Sequence, residues 1–126
     1  MPAQVLVVHN AQNLRDLAVV VLREAFIEVI GFADPIVALD AMEAGSRVRV
    51  LVTRVDFGPG KPNGIALARM VRVKQPGTKV VFVAREEYAH HAEGLGAFLP
   101  MPLDPALLVA TVTRLLADPD DDRAQG

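Results

Sequence analysis

Short apolar runs alternate five times with helical patterns along this chain, and this alternation constrains the fold more than any other feature. Three of the runs, 4–8, 48–53 and 79–83, are largely apolar, which is typical of strands that are covered on both faces. Parallel sheets meet this requirement, because their crossover helices pack on both sides of the sheet. We therefore predict an α/β fold: a doubly wound, five-stranded parallel sheet in the order 2-1-3-4-5, within a flavodoxin-like three-layer sandwich.

Spacing and helix caps indicate the remaining elements. Apolar residues recur at helical intervals over 14–25, and the shorter apolar segments 27–32 and 97–99 complete the five strands. Asp34-Pro35 and Asp104-Pro105 each begin a helix, with aspartate as the N-cap and proline in the first turn. The other expected boundaries are Asn63 at the start of the third helix, 86–93 for a short fourth helix and Ala117 at the end of the last helix.

Composition limits the classes of function that are open to these 126 residues. The length fits one domain, which we assign to 1–117, followed by an acidic tail over 118–126 that we expect to be disordered. A net charge of -2 provides no basic surface for nucleic acid or for an anionic membrane. The absence of cysteine excludes disulfides, thiol nucleophiles and thiolate metal sites. With neither a signal peptide nor a membrane span in the sequence, we expect a cytoplasmic protein. Because little but the acidic tail follows the last predicted helix, we also expect no attached output domain.

The carboxyl ends of the predicted strands form the candidate site. Ligands on open parallel sheets bind beyond these ends, where the strand order reverses between strands 1 and 3. The residues that the sequence brings to this edge are His9 and Asn10, Arg54, Ala84 with Arg85, and Pro100 with Met101. No Ser-His-Asp set, carboxylate pair or metal cluster is recognisable among them or elsewhere in the sequence. We therefore predict that the chain is not an enzyme.

Four segments, taken in order, resemble the response-regulator receiver domain, the CheY-like family. VLVVHNA at 5–11 is similar to the family's first strand and the acids after it, and VLVTRVDFGPGKPNG at 50–64 to its third strand, acceptor aspartate and helix start. VVFVAR at 80–85 resembles the fourth strand, and GAFLPMPL at 96–103 resembles the fifth strand with its aromatic residue and Lys-Pro. The resemblance covers almost the whole chain and implies a bacterial two-component, phosphorelay signalling domain.

The resemblance also implies a role for each position at the strand ends. In the family, paired acids hold Mg²⁺, an aspartate accepts a phosphoryl group, a hydroxyl contacts that group and a lysine neutralises it. Phe98 matches the aromatic residue that reports the switch. The positions of the reactive residues are occupied by His9 and Asn10 at the acid pair, Arg54 at the acceptor, Ala84 at the hydroxyl and Met101 at the lysine.

These substitutions remove the chemistry that the family uses. Mg²⁺ prefers hard oxygen ligands, whereas His9, Asn10 and Arg54 offer one amide oxygen and a fixed positive charge. Arginine does not deprotonate in proteins and cannot form a mixed anhydride with phosphate, and Ala84 and Met101 supply neither a hydroxyl nor a charge. We therefore predict a pseudo-receiver with no cofactor and no bound Mg²⁺, which acts by protein–protein contact. The expected partners are signalling proteins such as a histidine kinase or a regulator.

Two other interpretations of the same residues stay open. Asp56 lies two residues after Arg54, and its distance from Gly64 also fits the family's commoner loop, so an orthodox response regulator could take phosphate on Asp56. Alternatively, the cationic Arg54 beside helix N-termini could bind an anion, which would make the chain a small-ligand sensor. His9 is either a polar residue at a strand end or a pH-sensitive binding group.

The short segment between strands 4 and 5 predicts a contact surface. In the receiver family, the face formed by helix 4, strand 5 and helix 5 commonly binds partners or forms dimers. A short fourth helix would leave apolar residues beside it half-covered, and such patches usually mark contact sites. We therefore predict a partner or homodimer surface on this face, built from Phe98, Leu99, Leu107, Leu108, Val112 and Leu115.

Overall fold

A five-stranded parallel sheet with helices on both faces forms the protein, as seen in a computed structural model that describes residues 4–43, 47–56 and 63–118. The strand order is β2-β1-β3-β4-β5 and every pairing is parallel, which confirms the predicted doubly wound sheet. Apart from Asp118, the predicted acidic tail lies outside the described residues. The strands are β1 Val5–Val8, β2 Val29–Phe32, β3 Val50–Thr53, β4 Lys79–Ala84 and β5 Ala97–Pro100.

In the described part of the chain, the helices are α1 Gln12–Glu24, α2 Pro35–Glu43, α3 Gly64–Lys74, a 3-10 helix at Glu86–Ala92 and α4 Pro105–Ala117. None of these helices is both long enough and apolar enough to cross a membrane. All three predicted caps are confirmed: Oδ1 of Asp34 accepts a hydrogen bond from the Ile36 amide (2.8 Å), Oδ1 of Asn63 accepts one from the Ala66 amide (2.8 Å), and Oδ1 of Asp104 accepts one from the Ala106 amide (3.0 Å). These side chains satisfy amides that a first helical turn leaves unpaired, so α3 and α4 begin where the sequence supplies a cap.

Two aliphatic clusters, one on each face of the sheet, hold the layers together. Successive side chains of a strand point to opposite faces, so the odd-numbered residues of β1 join one cluster and the even-numbered residues join the other. The cluster under α1 and α4 includes Leu22 and Leu108, and the cluster under α2 and α3 includes Met42 and Leu67. All four β1 side chains are buried, as expected for a strand that is covered on both faces.

β2 and β3 each begin two residues later than predicted. The Ile27 amide donates to Leu22 O (3.0 Å), so this residue belongs to the end of α1 rather than to β2. The Val48 amide donates to the side-chain oxygen Oε1 of Gln75 (2.7 Å), so it is satisfied outside the strand ladder. In both places the amide donates outside the sheet, to the preceding helix at Ile27 and to a distant side chain at Val48, although each lies in an apolar run.

The prediction of a half-covered apolar patch is wrong for Leu99, Leu108 and Val112. Their exposed fractions are 5%, 0% and 0%, and all three belong to the cluster under α1 and α4. The 3-10 helix instead packs on the opposite face of the sheet, where Ala92 joins the cluster under α2 and α3. The length of this helix therefore has no effect on the cover of those three side chains. Leu107 alone, at 45%, is an exposed large apolar residue of α4.

Candidate functional site

The carboxyl ends of β1, β3, β4 and β5 bring the predicted site residues to one edge of the sheet. His9 directly follows β1, Arg54 directly follows β3, Ala84 ends β4 and Met101 directly follows β5. The residues just before His9 and Arg54 are partners in the β1–β3 ladder. On the other side of the edge, the Met101 amide donates a hydrogen bond to Ala84 O (2.9 Å). His9 and Arg54 thus flank the point where the strand order reverses, and Ala84 and Met101 lie further along the same edge.

Arg54 and Asn10 are joined by a side-chain hydrogen bond. Nη1 of Arg54 donates to Oδ1 of Asn10 over 2.5 Å, a short contact between a cation and an amide oxygen. Arg54 is half-buried and Asn10 is exposed, so the bond lies at the rim of the edge. The amide oxygen of Asn10 is therefore already the acceptor for a fixed positive charge.

His9 is buried, with an exposed fraction of only 3%. Its Nδ1 accepts a hydrogen bond from the Ala11 amide (3.1 Å), just before the start of α1. Burial, and then the charges of Arg54 and Arg15, lower the pKa of His9 from 6.5 to about 4. The imidazole is therefore neutral near pH 7, and its unprotonated Nδ1 serves as a structural acceptor.

Arg15 belongs to this edge, although the sequence prediction missed it. Its Nη1 donates to the backbone oxygen of His9 (2.9 Å), so α1 brings a second guanidinium to the end of β1. Arg15 and Arg54 both disfavour protonation of the His9 ring. The sequence contained a signal for this contact: Arg15 lies in the first turn of the helix after β1, and a side chain of that length can reach back to the strand end.

On the β4 and β5 side of the edge, Ala84 is buried and Met101 is 37% exposed, so these two positions contribute neither a hydroxyl nor a charge. Arg85, which directly follows β4, is exposed and pairs with Glu87 (3.3 Å). Phe98 is partly buried against the cluster under α2 and α3, where Phe82 is its ladder partner on β4. Its side chain is thus part of the packing that covers this face of the sheet.

Asp56 is exposed and lies three residues beyond the last residue of β3. Between them, Val55 is buried, and its carbonyl oxygen accepts a hydrogen bond from the Gly64 amide (2.7 Å). A β-carbon at Gly64 would lie 1.7 Å from the backbone oxygen of Arg54, so α3 starts in contact with the backbone after β3. Arg54, and not Asp56, therefore occupies the position that directly follows the strand.

The solved structures that match this chain include response-regulator receivers. The receiver domain of NtrX from Brucella abortus matches with a TM-score of 0.82 at 22% identity, covering 91% of this chain and 99% of that chain. CheY4 of Vibrio cholerae, a chemotaxis response regulator, matches with a TM-score of 0.75 at 26% identity and the same coverage of 91% and 99%. The chain has the receiver-domain fold. A receiver protein from Sinorhizobium medicae agrees, with a TM-score of 0.79 at 22% identity over 91% of this chain and 94% of that chain.

CheY4, at 26% identity, supports the receiver family for this chain, and the two neighbours at 22% identity show the shared fold. No protein-family model and no curated protein matches the sequence. A longer form of NtrX from Brucella abortus is matched over only 27% of its length, at 26% identity, so there the receiver fold is one part of a longer chain. The receiver fold thus brings together the positions that the four sequence segments single out.

Proposed function

We propose that this chain is a receiver-like signalling domain that does not take up phosphate in the family's usual way and acts through contact with other proteins. The hydrogen bond between Arg54 and Asn10 carries the proposal. By the resemblance, these two positions belong to the acceptor aspartate and to one of the metal-binding acids. Here they hold a guanidinium, which stays protonated and has no lone pair with which to attack phosphorus, and an amide.

The residues at this edge also do not suit Mg²⁺. This ion requires near-octahedral oxygen coordination and usually takes one or two carboxylates from the protein. The edge offers the buried imidazole of His9, an amide oxygen that already accepts from Arg54, and two guanidinium charges that repel a divalent cation. Within residues 4–43, 47–56 and 63–118, no group of three or more histidine, aspartate or glutamate side chains could hold a metal ion. We therefore propose a domain without a cofactor and without catalytic residues.

Protein contact is the means of signalling that we propose for such a domain. A domain that cannot be switched by phosphate either holds one conformation or changes it when a partner binds one conformation more tightly than the other. The partners that we propose, from the receiver resemblance, are signalling proteins such as a histidine kinase or a regulator. Partner binding would not require the strand-end chemistry, which fits the replacement of its reactive side chains.

A titration with Mg²⁺ and beryllofluoride tests the proposed loss of the phosphate site. Beryllofluoride is a suitable probe because one structural neighbour, the DrrB receiver domain, is described as activated by BeF3. We expect no saturable backbone amide shifts at residues 9, 10 and 54 when both reagents are added at millimolar concentration. The matched control is the double variant Asn10→Asp, Arg54→Asp, which provides two carboxylates and should respond to Mg²⁺.

Titration also distinguishes the two alternatives, a response regulator that takes phosphate on Asp56 and an anion sensor at Arg54. Saturable shifts with Mg²⁺ and beryllofluoride that centre on Asp56 would contradict the proposal and favour an orthodox response regulator. Shifts with sulfate alone, lost in Arg54→Ala, would favour an anion sensor instead.

A further inference from the structure

A cavity of about 230 Å³ lies on one flank of α3, and none of its lining residues belongs to the strand-end site. It is lined by Ala68, Arg69, Arg72 and Val73 of α3 and by Leu95, just before β5. Three of these side chains are apolar, two are cationic and none is acidic. Such a lining suits an aliphatic side chain that has a carboxylate beside it.

The cavity is open because the connection between β4 and β5 is short. The 3-10 helix has only seven residues, and the chain then turns at Gly94 (φ 77°) towards β5. α3 lies between α2 and this 3-10 helix on the same face of the sheet. No longer helix covers the flank of α3, and Val73 is left 83% exposed. An apolar side chain that is this exposed gains from burial against a second molecule.

The outward face of α2 has the complementary character. Ile36 and Val37 are 48% and 50% exposed, and Asp40 between them on the helix surface is also exposed. These three residues lie on one side of α2, because helix positions three and four apart are neighbours. Charge is segregated between the two helices: α2 contains acidic residues and no basic ones, whereas α3 contains three basic residues and no acidic ones.

We propose that the chain self-associates head to tail, with α2 of one copy docked in the α3 cavity of the next. Ile36 and Val37 would enter the cavity, and Asp40 would lie beside Arg69 and Arg72. In its own chain α2 packs on the other flank of α3, so it cannot fill the cavity from within. The contact joins two different surfaces, so association is open-ended rather than limited to a dimer. This proposal is independent of whether the strand-end site binds phosphate.

The small size of the cavity predicts a weak contact. Interfaces at the small end of the range bind weakly, so we expect a dissociation constant on the order of 0.1 mM. Sedimentation velocity of the full chain, from about 10 μM to about 1 mM, should show a weight-average mass that rises with concentration. Arg69→Glu and Asp40→Arg should each lower the association constant by at least ~10-fold, because each places like charges in the contact.

Mixing the two variants provides the decisive result. In the mixture, Asp40 of the Arg69→Glu protein meets Arg69 of the Asp40→Arg protein, which restores one wild-type contact. In the reverse pairing the two substituted residues also carry opposite charges. The mixture should therefore associate with a dissociation constant within ~3-fold of the wild-type value at about 0.1 mM, where each variant alone is largely monomeric. A mixture that stays monomeric, or a wild-type chain that stays monomeric at about 1 mM, would overturn the proposal.

Arg114→Glu is the matched control, since it makes the same change of charge on an exposed position of α4. We expect it to leave the self-association unchanged. An equal loss of association in this variant would overturn the α3 contact and assign self-association to the face that contains α4. Circular dichroism of each variant verifies that the fold is retained.

Discussion

His9 should make the stability of the protein depend on pH below neutrality. Its ring is buried, accepts a hydrogen bond from the Ala11 amide and lies in the field of Arg54 and Arg15. Protonation would place a charge in a buried position beside two cations and would turn the accepting Nδ1 into a donor. His9→Asn is the informative perturbation, because the asparagine Oδ1 can accept the Ala11 amide in place of Nδ1 but does not titrate.

The direction and the size of the effect follow from the pKa of His9 in the two states. The pKa of His9 is about 4 in the folded protein and 6.5 in the unfolded chain. Between about pH 4 and pH 6.5 the unfolded chain therefore binds more protons than the folded protein. Stability therefore rises with pH in this window: the contribution of His9 is fully present above pH 6.5 and lost as the pH falls to about 4. At about 1.4 kcal/mol per pKa unit, the total is about 3 kcal/mol, of which about 2 kcal/mol is lost by about pH 5.

Urea unfolding of the wild type and of His9→Asn at about pH 7 and about pH 5 measures this effect. The difference in unfolding free energy between the two proteins cancels the contributions of the other titrating groups. This difference should shrink by about 2 kcal/mol from the higher to the lower pH. A difference that stays constant within about 0.5 kcal/mol would refute the assignment of His9 as a buried, neutral residue.

Two backbone positions give further predictions, both measured by thermal unfolding. Phe26, at the end of α1, has a φ of 64° and is 97% exposed. Because glycine adopts this left-handed conformation without strain, Phe26→Gly should raise the unfolding free energy by about 1 kcal/mol and Tm by about 4 °C. Phe26→Ala keeps the β-carbon and should give little gain. An equal gain in both variants would contradict the backbone explanation. Gly64→Ala should lower the unfolding free energy by at least ~2 kcal/mol, because its β-carbon would lie 1.7 Å from Arg54 O. A wild-type Tm in this variant would show that α3 can move away without cost.

The fold could be predicted because its signals are local and mutually consistent. β1 and β3 are apolar runs buried on both faces, and Asn63 and Asp104 cap the helices that follow loops. The parallel arrangement and the strand order then follow from the general rules for βα units. The strand-end positions were predictable for the same reason, because the residue after each strand necessarily lies at the carboxyl edge.

The rest depends on contacts between segments that are distant in sequence. Leu99 and Leu108 are covered because they point to the face of α1 and α4, and the length of the 3-10 helix on the other face carries no information about them. The burial of His9 and the reach of Arg15 to its carbonyl oxygen depend on how α1 sits on the sheet. Phe26 adopts a left-handed backbone conformation, which phenylalanine rarely does, so its residue type gives no indication of this turn.

We propose that Arg54 stands in place of a phosphate acceptor and leaves the domain unable to take up phosphate. The most direct test is the intact mass of the protein after incubation with acetyl phosphate and Mg²⁺, with Asp56→Asn as the parallel sample. We expect the wild-type and Asp56→Asn masses to remain those of the unmodified chains. A gain of one phosphoryl group in the wild type, removed by hydroxylamine and absent in Asp56→Asn, would contradict the claim.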